Sequence, residues 1–224
     1  MTLPKLPYFD APASRGEECR LALHVAGVPF EDVRIKGADW PALKPKTPFG
    51  SVPFLELPDG RMLAQSNAIL VFIGRRHGVH PKDDLEAATH EAILQYCEEL
   101  RVTLAPSLRI SDPEAKKKAR EDLAADYLPR WAAAVERQIK SGPFFGGDTL
   151  NVVDIKLYMI VRWFVSGVVD HIPATVFGDF PKLNRVHDSA RDYRAYQALT
   201  RASSRTESWT RFSFGKSAKT VAGT

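Results

Sequence analysis

The chain has 224 residues, of which 44% are hydrophobic and 26% are charged. This balance is typical of a folded protein with one large domain or two small ones, and it argues against a disordered, collagen-like or coiled-coil chain. Lysine and arginine number 31 against 27 aspartate and glutamate residues, giving a formal net charge of +4. Because both signs are mixed along the sequence, we expect no nucleic-acid partner.

The two cysteines, Cys19 and Cys97, lie far apart and lack a Cys-x-x-Cys spacing. They predict neither a disulfide framework nor a zinc cluster, and a reducing compartment is the simpler expectation. The N-terminus has no apolar core long enough for a signal peptide, and no stretch approaches the roughly 20 apolar residues of a membrane span. We therefore expect a cytoplasmic protein without a membrane partner.

The N-terminal third alternates short apolar runs with helical patterns, which is typical of an α/β unit. Residues 3–9 predict a strand, residues 17–26 a helix that ends at Gly27, and residues 30–35 a second strand. Three prolines within residues 40–49 exclude a long regular element there and predict a functional loop.

A β-hairpin and a helix are expected next. Residues 52–57 and 61–64 are apolar runs on either side of the pair Asp59-Gly60, which is a strong hairpin signal. Ser66 is a good N-cap for a helix over residues 67–77, and Gly78 is a good stop signal.

Strand signals vanish after residue 85, and the remainder is predicted to be all helical. One helix reaches Pro106, a second covers residues 124–139 with a bend at Pro129, and a third starts at Asn151, with Asp154 completing a capping-box variant. The polar segment 79–84 is the expected boundary, giving domains 1–78 and 85–224. The second domain ends in a basic tail that contains aromatic residues.

The common catalytic motifs are absent. The six histidines show no metal-ligand spacing, so no metal site is expected. Glycine-rich phosphate loops and the Gly-x-Ser-x-Gly nucleophile turn are missing as well. These absences argue against dinucleotide-binding, P-loop and serine-hydrolase chemistry.

Four short motifs occur in order: Phe-Gly-x-Val-Pro-x-Leu from Phe49, Gln65-Ser66 before a helix, Gly-Asp-x-Leu-x-x-x-Asp-Ile from Gly147, and Phe-Pro-Lys-Leu from Phe180. With these motifs the chain resembles the cytosolic glutathione transferases. The resemblance implies a thioredoxin-like α/β domain followed by an all-α domain, and the Tyr8-Phe9 start is most similar to the tyrosine-using alpha, pi, mu and sigma classes. It also implies glutathione as co-substrate without a further cofactor, a small hydrophobic electrophile, and a homodimer in which Phe49 inserts into the partner.

The resemblance also implies a glutathione site. Pro53 is expected to follow a cis peptide bond that presents the backbone of Val52 to the peptide ligand, as strand addition does. The helix start at Gln65-Ser66 would hold the γ-glutamyl carboxylate, because a helix N-terminus offers free N–H groups to an anion. The resemblance further implies that Trp40 and Lys44, together with Arg15, hold the glycine carboxylate. The expected glutathione-binding residues are Arg15, Trp40, Lys44, Ser51, Val52, Pro53, Gln65 and Ser66.

Tyr8 is the expected catalytic residue. A phenol stays protonated at neutral pH while a thiol is close to titrating, so Tyr8 would donate a hydrogen bond to the glutathione thiolate and not act as its base. Ser14 remains an alternative thiolate donor, because the alignment around Tyr8 requires one extra residue before Arg20. Cys19 is not expected to react, since it lies on an apolar helix face.

Several positions depart from the family pattern. Ser51 and Asn67 stand where many relatives have glutamine and arginine, and Gln95 lies near the position of an aspartate that several classes present to the partner's glutathione. A glutathione-dependent isomerase or peroxidase therefore remains an alternative, as does a non-catalytic binding protein. The electrophile pocket is expected to face Tyr8, with Phe9, Leu108 and aromatic residues of the tail as lining candidates.

Overall fold

The computed structural model describes residues 2–11 and 13–193 of the chain. The N-terminal part is an α/β unit, as the sequence predicts, and the C-terminal part is helical. The N-terminal elements are β1 (Lys5–Phe9), α1 (Ser14–Val25), β2 (Glu31–Ile35), α2 (Trp40–Leu43), β3 (Phe54–Glu56), β4 (Met62–Ala64) and α3 (Ser66–His77). The helical part contains α4 (Asp84–Leu104), α5 (Pro113–Asp122), α6 (Leu128–Glu136), α7 (Val152–Val165) and α8 (Pro181–Asp192).

A mixed four-stranded sheet forms the centre of the N-terminal part, with strand order β2-β1-β3-β4. β1 and β2 are parallel, with Tyr8 opposite Arg34, and α1 makes the crossover that parallel neighbours require. β3 and β4 form the predicted antiparallel hairpin, with Phe54 opposite Ala64. This topology brings the end of β1, the start of β3 and the start of α3 close together at one end of the sheet.

The predicted cap of α7 is confirmed. The Asp154 carboxylate accepts hydrogen bonds from the backbone N–H of Asn151 (2.8 Å) and of Phe145 (2.7 Å). Burial raises the pKa of Asp154 to about 7, although these two amides oppose the shift. Almost every residue of α7 is buried, so this helix forms the centre of the helical part.

Some boundaries differ from the sequence-based expectation. The residue at the N-cap position of α3 is Gln65 and not Ser66, which is already helical, so the predicted cap is wrong. The helix expected over residues 124–139 is divided: a π-helical turn covers Leu123–Tyr127 before α6 starts, next to Pro129, whose missing N–H cannot bond to the preceding turn. α5 and α8 were not predicted, because their exposed, highly charged faces hide the apolar periodicity.

The proline-rich segment after β2 is more regular than a loop. It forms α2 and a 3₁₀ turn, Lys44–Lys46, in which the Lys44 carbonyl accepts the backbone N–H of Thr47 at 3.2 Å and its hydroxyl at 2.9 Å. The predicted tail lies outside the described residues. Within the part of the chain that is described, no helix is long and apolar enough to cross a membrane.

Candidate active site

Tyr8 is half-buried at the end of β1. Its ring makes an edge-to-face contact with Phe9, with centroids 5.7 Å apart, and the Arg20 guanidinium carbon lies 5.6 Å from its centroid. Burial raises the pKa of Tyr8 above its ordinary value of 10.0, while a hydrogen bond with Ser14 and the charge of Arg15 oppose the increase. The phenol is therefore protonated at neutral pH and has a proton to donate.

The first turn of α1 is shaped to hold the Tyr8 ring. Ser14 adopts a left-handed backbone conformation with φ of 59°, which is uncommon for residues other than glycine. A Cβ atom on Gly16 would lie 2.0 Å from Cδ1 of Tyr8, so the ring packs directly against the glycine backbone. Tyr8 and Ser14, the two alternative thiolate donors, are hydrogen-bonded neighbours in this arrangement.

The segment after β2 contacts the same aromatic group. Trp40 on α2 packs edge-to-face against Phe9, with centroids 5.5 Å apart. Lys44 is exposed, and its Cε lies 3.6 Å from the place of a Cβ on Gly50, whose φ of 61° favours glycine. The aliphatic part of Lys44 thus lies over the turn that leads into β3.

The Val52–Pro53 peptide bond is cis, as the resemblance implies. Pro53 is buried, Val52 is half-buried and Ser51 is exposed, so the chain enters β3 from the surface. Phe49, just before this turn, is 67% exposed, which is unusual for a phenylalanine side chain in a folded monomer.

A cavity of about 290 Å³ opens at the N-terminus of α3. Gln65 has a φ of 72° and a ψ of 117°, a strained backbone conformation for a residue other than glycine, and such outliers cluster at ligand sites. Ser66, buried, begins the helix beside it. The residues that line the cavity are Gln65, Ser66, Asn67, Gln95 and Glu98.

Arg15 lies at the α3 side of the site and not beside Trp40 and Lys44. Its Nε and Nη2 atoms donate to one oxygen of Glu98 at 2.9 Å and 2.7 Å, so the guanidinium is fixed against the cavity wall. The expected residues therefore fall into two groups: Trp40, Lys44 and the turn before β3 in one, and Arg15 with the start of α3 in the other.

Comparison with known proteins identifies the family. The sequence profile of the glutathione S-transferase N-terminal domain matches residues 4–75, and that of the C-terminal domain matches residues 98–194. The chain is 38% identical over 198 residues to "Probable glutathione S-transferase 8" of Caenorhabditis elegans, covering 83% of this chain and 91% of that one. The chain belongs to the glutathione S-transferase family.

Two further relatives and one solved structure agree with this assignment. Identity to "Glutathione S-transferase 1" of Ascaris suum is 48% over 106 residues, about half of each chain (47% and 50%). Identity to the hematopoietic prostaglandin D synthase of Gallus gallus is 32%, over 67% of this chain and 73% of that one. The crystal structure of the glutathione S-transferase of Ascaris lumbricoides superimposes with a TM-score of 0.78 at 31% identity, covering 89% and 97% of the two chains.

The predicted fold, enzyme class and reaction of this glutathione S-transferase are thereby confirmed: it transfers glutathione. The two cysteines are free and buried, and burial raises the pKa of both thiols, that of Cys97 to about 12, so neither is a nucleophile. Among the described residues, no group of three or more His, Cys, Asp or Glu side chains could hold a metal ion.

Sequence reasoning missed a group of buried charges behind the cavity, which we name the buried charge cluster. Two glutamates, Glu18 and Glu98, each contact two cations. The Nζ atom of Lys156 on α7 lies 2.9 Å from Glu18 and also contacts Glu98, and Arg101 on α4 contacts Glu18 and lies 2.7 Å from Glu98. Burial alone would raise the pKa of Glu98, but Lys156 and Arg101 lower it to about 2. The members of the cluster are Arg15, Glu18, Glu98, Arg101 and Lys156.

The sequence does contain one signal for this cluster. Glu18, Arg101 and Lys156 each interrupt an apolar helix face, and charged residues are almost never fully buried unless they are paired. Which carboxylate would pair with which cation could not be read from the sequence, since Glu18 and Lys156 are 138 positions apart.

Proposed function

We propose that Tyr8 is the catalytic residue of this glutathione S-transferase and that it donates a hydrogen bond to the glutathione thiolate. The observation that carries the proposal is a half-buried, protonated phenol at the end of β1. The neighbouring strand, β3, follows the cis-proline turn, and the cavity at the start of α3 lies on the same side of the sheet order. A donor that binds the anion better than the thiol lowers the thiol pKa and raises the concentration of the nucleophile.

Glutathione would lie across both groups of expected residues. Its γ-glutamyl end would enter the cavity at Gln65 and Ser66, its backbone would pair with Val52 before Pro53, and its glycine carboxylate would meet Trp40 and Lys44. The ammonium of Lys44 and the indole N–H are suitable donors for a carboxylate. Arg15, held by Glu98, supports the γ-glutamyl end in this arrangement, and Ser51 contributes an exposed hydroxyl beside the turn.

The electrophile is proposed to be a small hydrophobic molecule. Phe9 and Trp40 supply apolar surface beside Tyr8, which suits an aromatic acceptor. Retention of the protein on immobilised glutathione, followed by turnover with a generic aryl halide, tests the proposal. Retention without turnover would favour a non-catalytic binding protein, and no retention would refute the proposed site.

A glutathione-dependent isomerase is the second candidate. Its support is the 32% identity to the protein named hematopoietic prostaglandin D synthase in Gallus gallus. An isomerase returns glutathione unchanged at the end of its cycle, whereas conjugation consumes it. Measuring glutathione consumption with an aryl halide, and prostaglandin D formation with a substrate of a prostaglandin D synthase, separates the two reactions.

We further propose a cytoplasmic homodimer in which Phe49 enters a pocket of the partner. Support for the dimer comes from the 67% exposure of this ring, because a large apolar side chain at a protein surface often marks an interface. The buried, free thiols of Cys19 and Cys97 fit a reducing compartment. Sedimentation tests the dimer, and fractionation of cells tests the location.

A further inference from the structure

The buried charge cluster carries an excess of positive charge. Its two buried cations, Arg101 and Lys156, balance its two carboxylates, Glu18 and Glu98, and the excess is the charge of Arg15, whose side chain is 41% exposed. The side chains of Lys156 and Glu18 are both 0% exposed, and that of Arg101 is 5% exposed. Water therefore screens these three charges much less than it screens the partly exposed Arg15.

Lys156 connects the buried charge cluster to the cavity. Its Nζ atom contacts Glu98 and donates to Oδ1 of Asn67 at 2.9 Å, and both of these residues line the cavity at the start of α3. An ammonium has only donors, so it fixes the amide oxygen of Asn67 and leaves the amide N–H groups for an acceptor. The lysine thus prepares Asn67 to donate to an anion.

Two further features favour an anion at the same place. The N-terminus of α3 carries the positive end of the helix dipole and free backbone N–H groups, at Ser66 and Asn67. The second feature is the positive charge of Lys156 and Arg15 beside the cavity. The γ-glutamyl group has no net charge, because it carries an α-ammonium beside its α-carboxylate, but these cations favour an orientation in which the carboxylate is the nearer of the two.

We propose that Lys156 is a positioning residue that sets the affinity of the cavity for the α-carboxylate of the γ-glutamyl group, acting through Asn67 and through its own buried charge. This inference rests on the proposed glutathione site. Many relatives have an arginine at the position of Asn67. In this chain the cation would come instead from Lys156 on α7, in the C-terminal part.

Charge variants of the buried pair Lys156 and Glu18 test the proposal. Lys156→Met makes the cluster neutral, Glu18→Gln doubles its excess, and the double variant restores an excess of one. Calorimetry with glutathione should show a dissociation constant raised roughly tenfold or more in Lys156→Met, unchanged or lower in Glu18→Gln, and raised less in the double variant, which restores the charge but not the contact with Asn67.

This series separates electrostatics from loosening of the fold, because both single variants break the same buried ion pair. Weaker binding in both would assign the cluster a purely structural role and overturn the proposal. Steady-state kinetics give a second readout: the Michaelis constant for glutathione should rise more than the maximal rate falls in Lys156→Met. If Lys156→Met does not fold, Glu18→Gln and the double variant still decide, since the first must bind at least as tightly as the second.

An analogue of glutathione with an amidated γ-glutamyl α-carboxylate identifies the group that is sensed. Its affinity should be the same in wild type and in Lys156→Met, and an equal loss for glutathione and for the analogue would overturn the assignment to this carboxylate. Wild-type protein that does not bind glutathione would refute the proposed site itself. If wild type binds glutathione and the three charge variants bind it with the same affinity, only the role of Lys156 is overturned.

Discussion

Replacing Tyr8 with phenylalanine removes one oxygen atom and leaves the ring in contact with Phe9 and with the backbone of Gly16. The packing of the site is therefore preserved, and the variant reports on the hydroxyl alone. A hydrogen bond to a charged acceptor contributes about 1.5–3 kcal/mol. At 1.36 kcal/mol for each factor of ten, the loss corresponds to a turnover roughly ten- to a hundredfold lower.

The dependence of the rate on pH tests the mechanism more sharply than the rate at one pH. If the phenol stabilises the thiolate, Tyr8→Phe raises the apparent pKa of bound glutathione by about one to two units. The variant should then regain much of its activity above that pKa, because the thiolate forms without help. The affinity for glutathione should change little, since the bond favours the anion that reacts.

Ser14→Ala is the matched control, because Ser14 is the hydrogen-bonding neighbour of Tyr8. It should have a smaller effect on turnover and on the apparent pKa of the thiol than Tyr8→Phe. Full activity of Tyr8→Phe together with loss of activity in Ser14→Ala would refute the assignment and make the serine the thiolate donor.

Three other predictions concern binding, assembly and stability. The Gln65→Ala, Ser66→Ala double variant should raise the Michaelis constant for glutathione more than it lowers the maximal rate, because both residues hold the remote γ-glutamyl end; unchanged calorimetric binding would remove them from the site. Phe49→Ala should weaken the dimer by about 2 kcal/mol in sedimentation at micromolar concentration, whereas a wild-type monomer would refute the interface. Burial lowers the pKa of His90 from 6.5 to about 4, so its contribution to stability is present in full above pH 6.5 and about 3 kcal/mol is lost as the pH falls to 4. His90→Phe should flatten this part of the pH dependence of urea unfolding, and His77→Phe, at an exposed position, should not.

Short sequence motifs predicted the elements that are stabilised by residues close together in the sequence. The Asp59-Gly60 turn fixes the hairpin, and the capping pair Asn151 and Asp154 fixes the start of α7, so both could be read from short segments. α5 could not be found in this way. Arg120 is its one buried residue, and contacts with the rest of the chain decide its position.

The residues of the candidate site also differ in whether a short segment was enough to predict them. Tyr8, the cis peptide bond before Pro53 and the start of α3 were accessible through short motifs, since each depends on its own segment. The backbone strain at Gln65 and the contact of Arg15 with Glu98 were not, because they depend on how distant helices pack. A sequence indicates that a buried glutamate needs a partner, and only the fold determines the partner.

The buried charge cluster also bears on how the two parts of the chain depend on each other. Lys156 is on α7, while two of its partners, Glu18 and Asn67, are on α1 and α3 of the α/β part. An apolar contact in this place would hold the helices together with less desolvation cost, so stability alone does not explain the choice of charges. The charges have a direction and a sign that an apolar contact lacks, and both suit the α-carboxylate proposed to bind in the cavity. Under the proposed role of Lys156, the helical part would affect glutathione binding through a side chain that does not line the cavity itself.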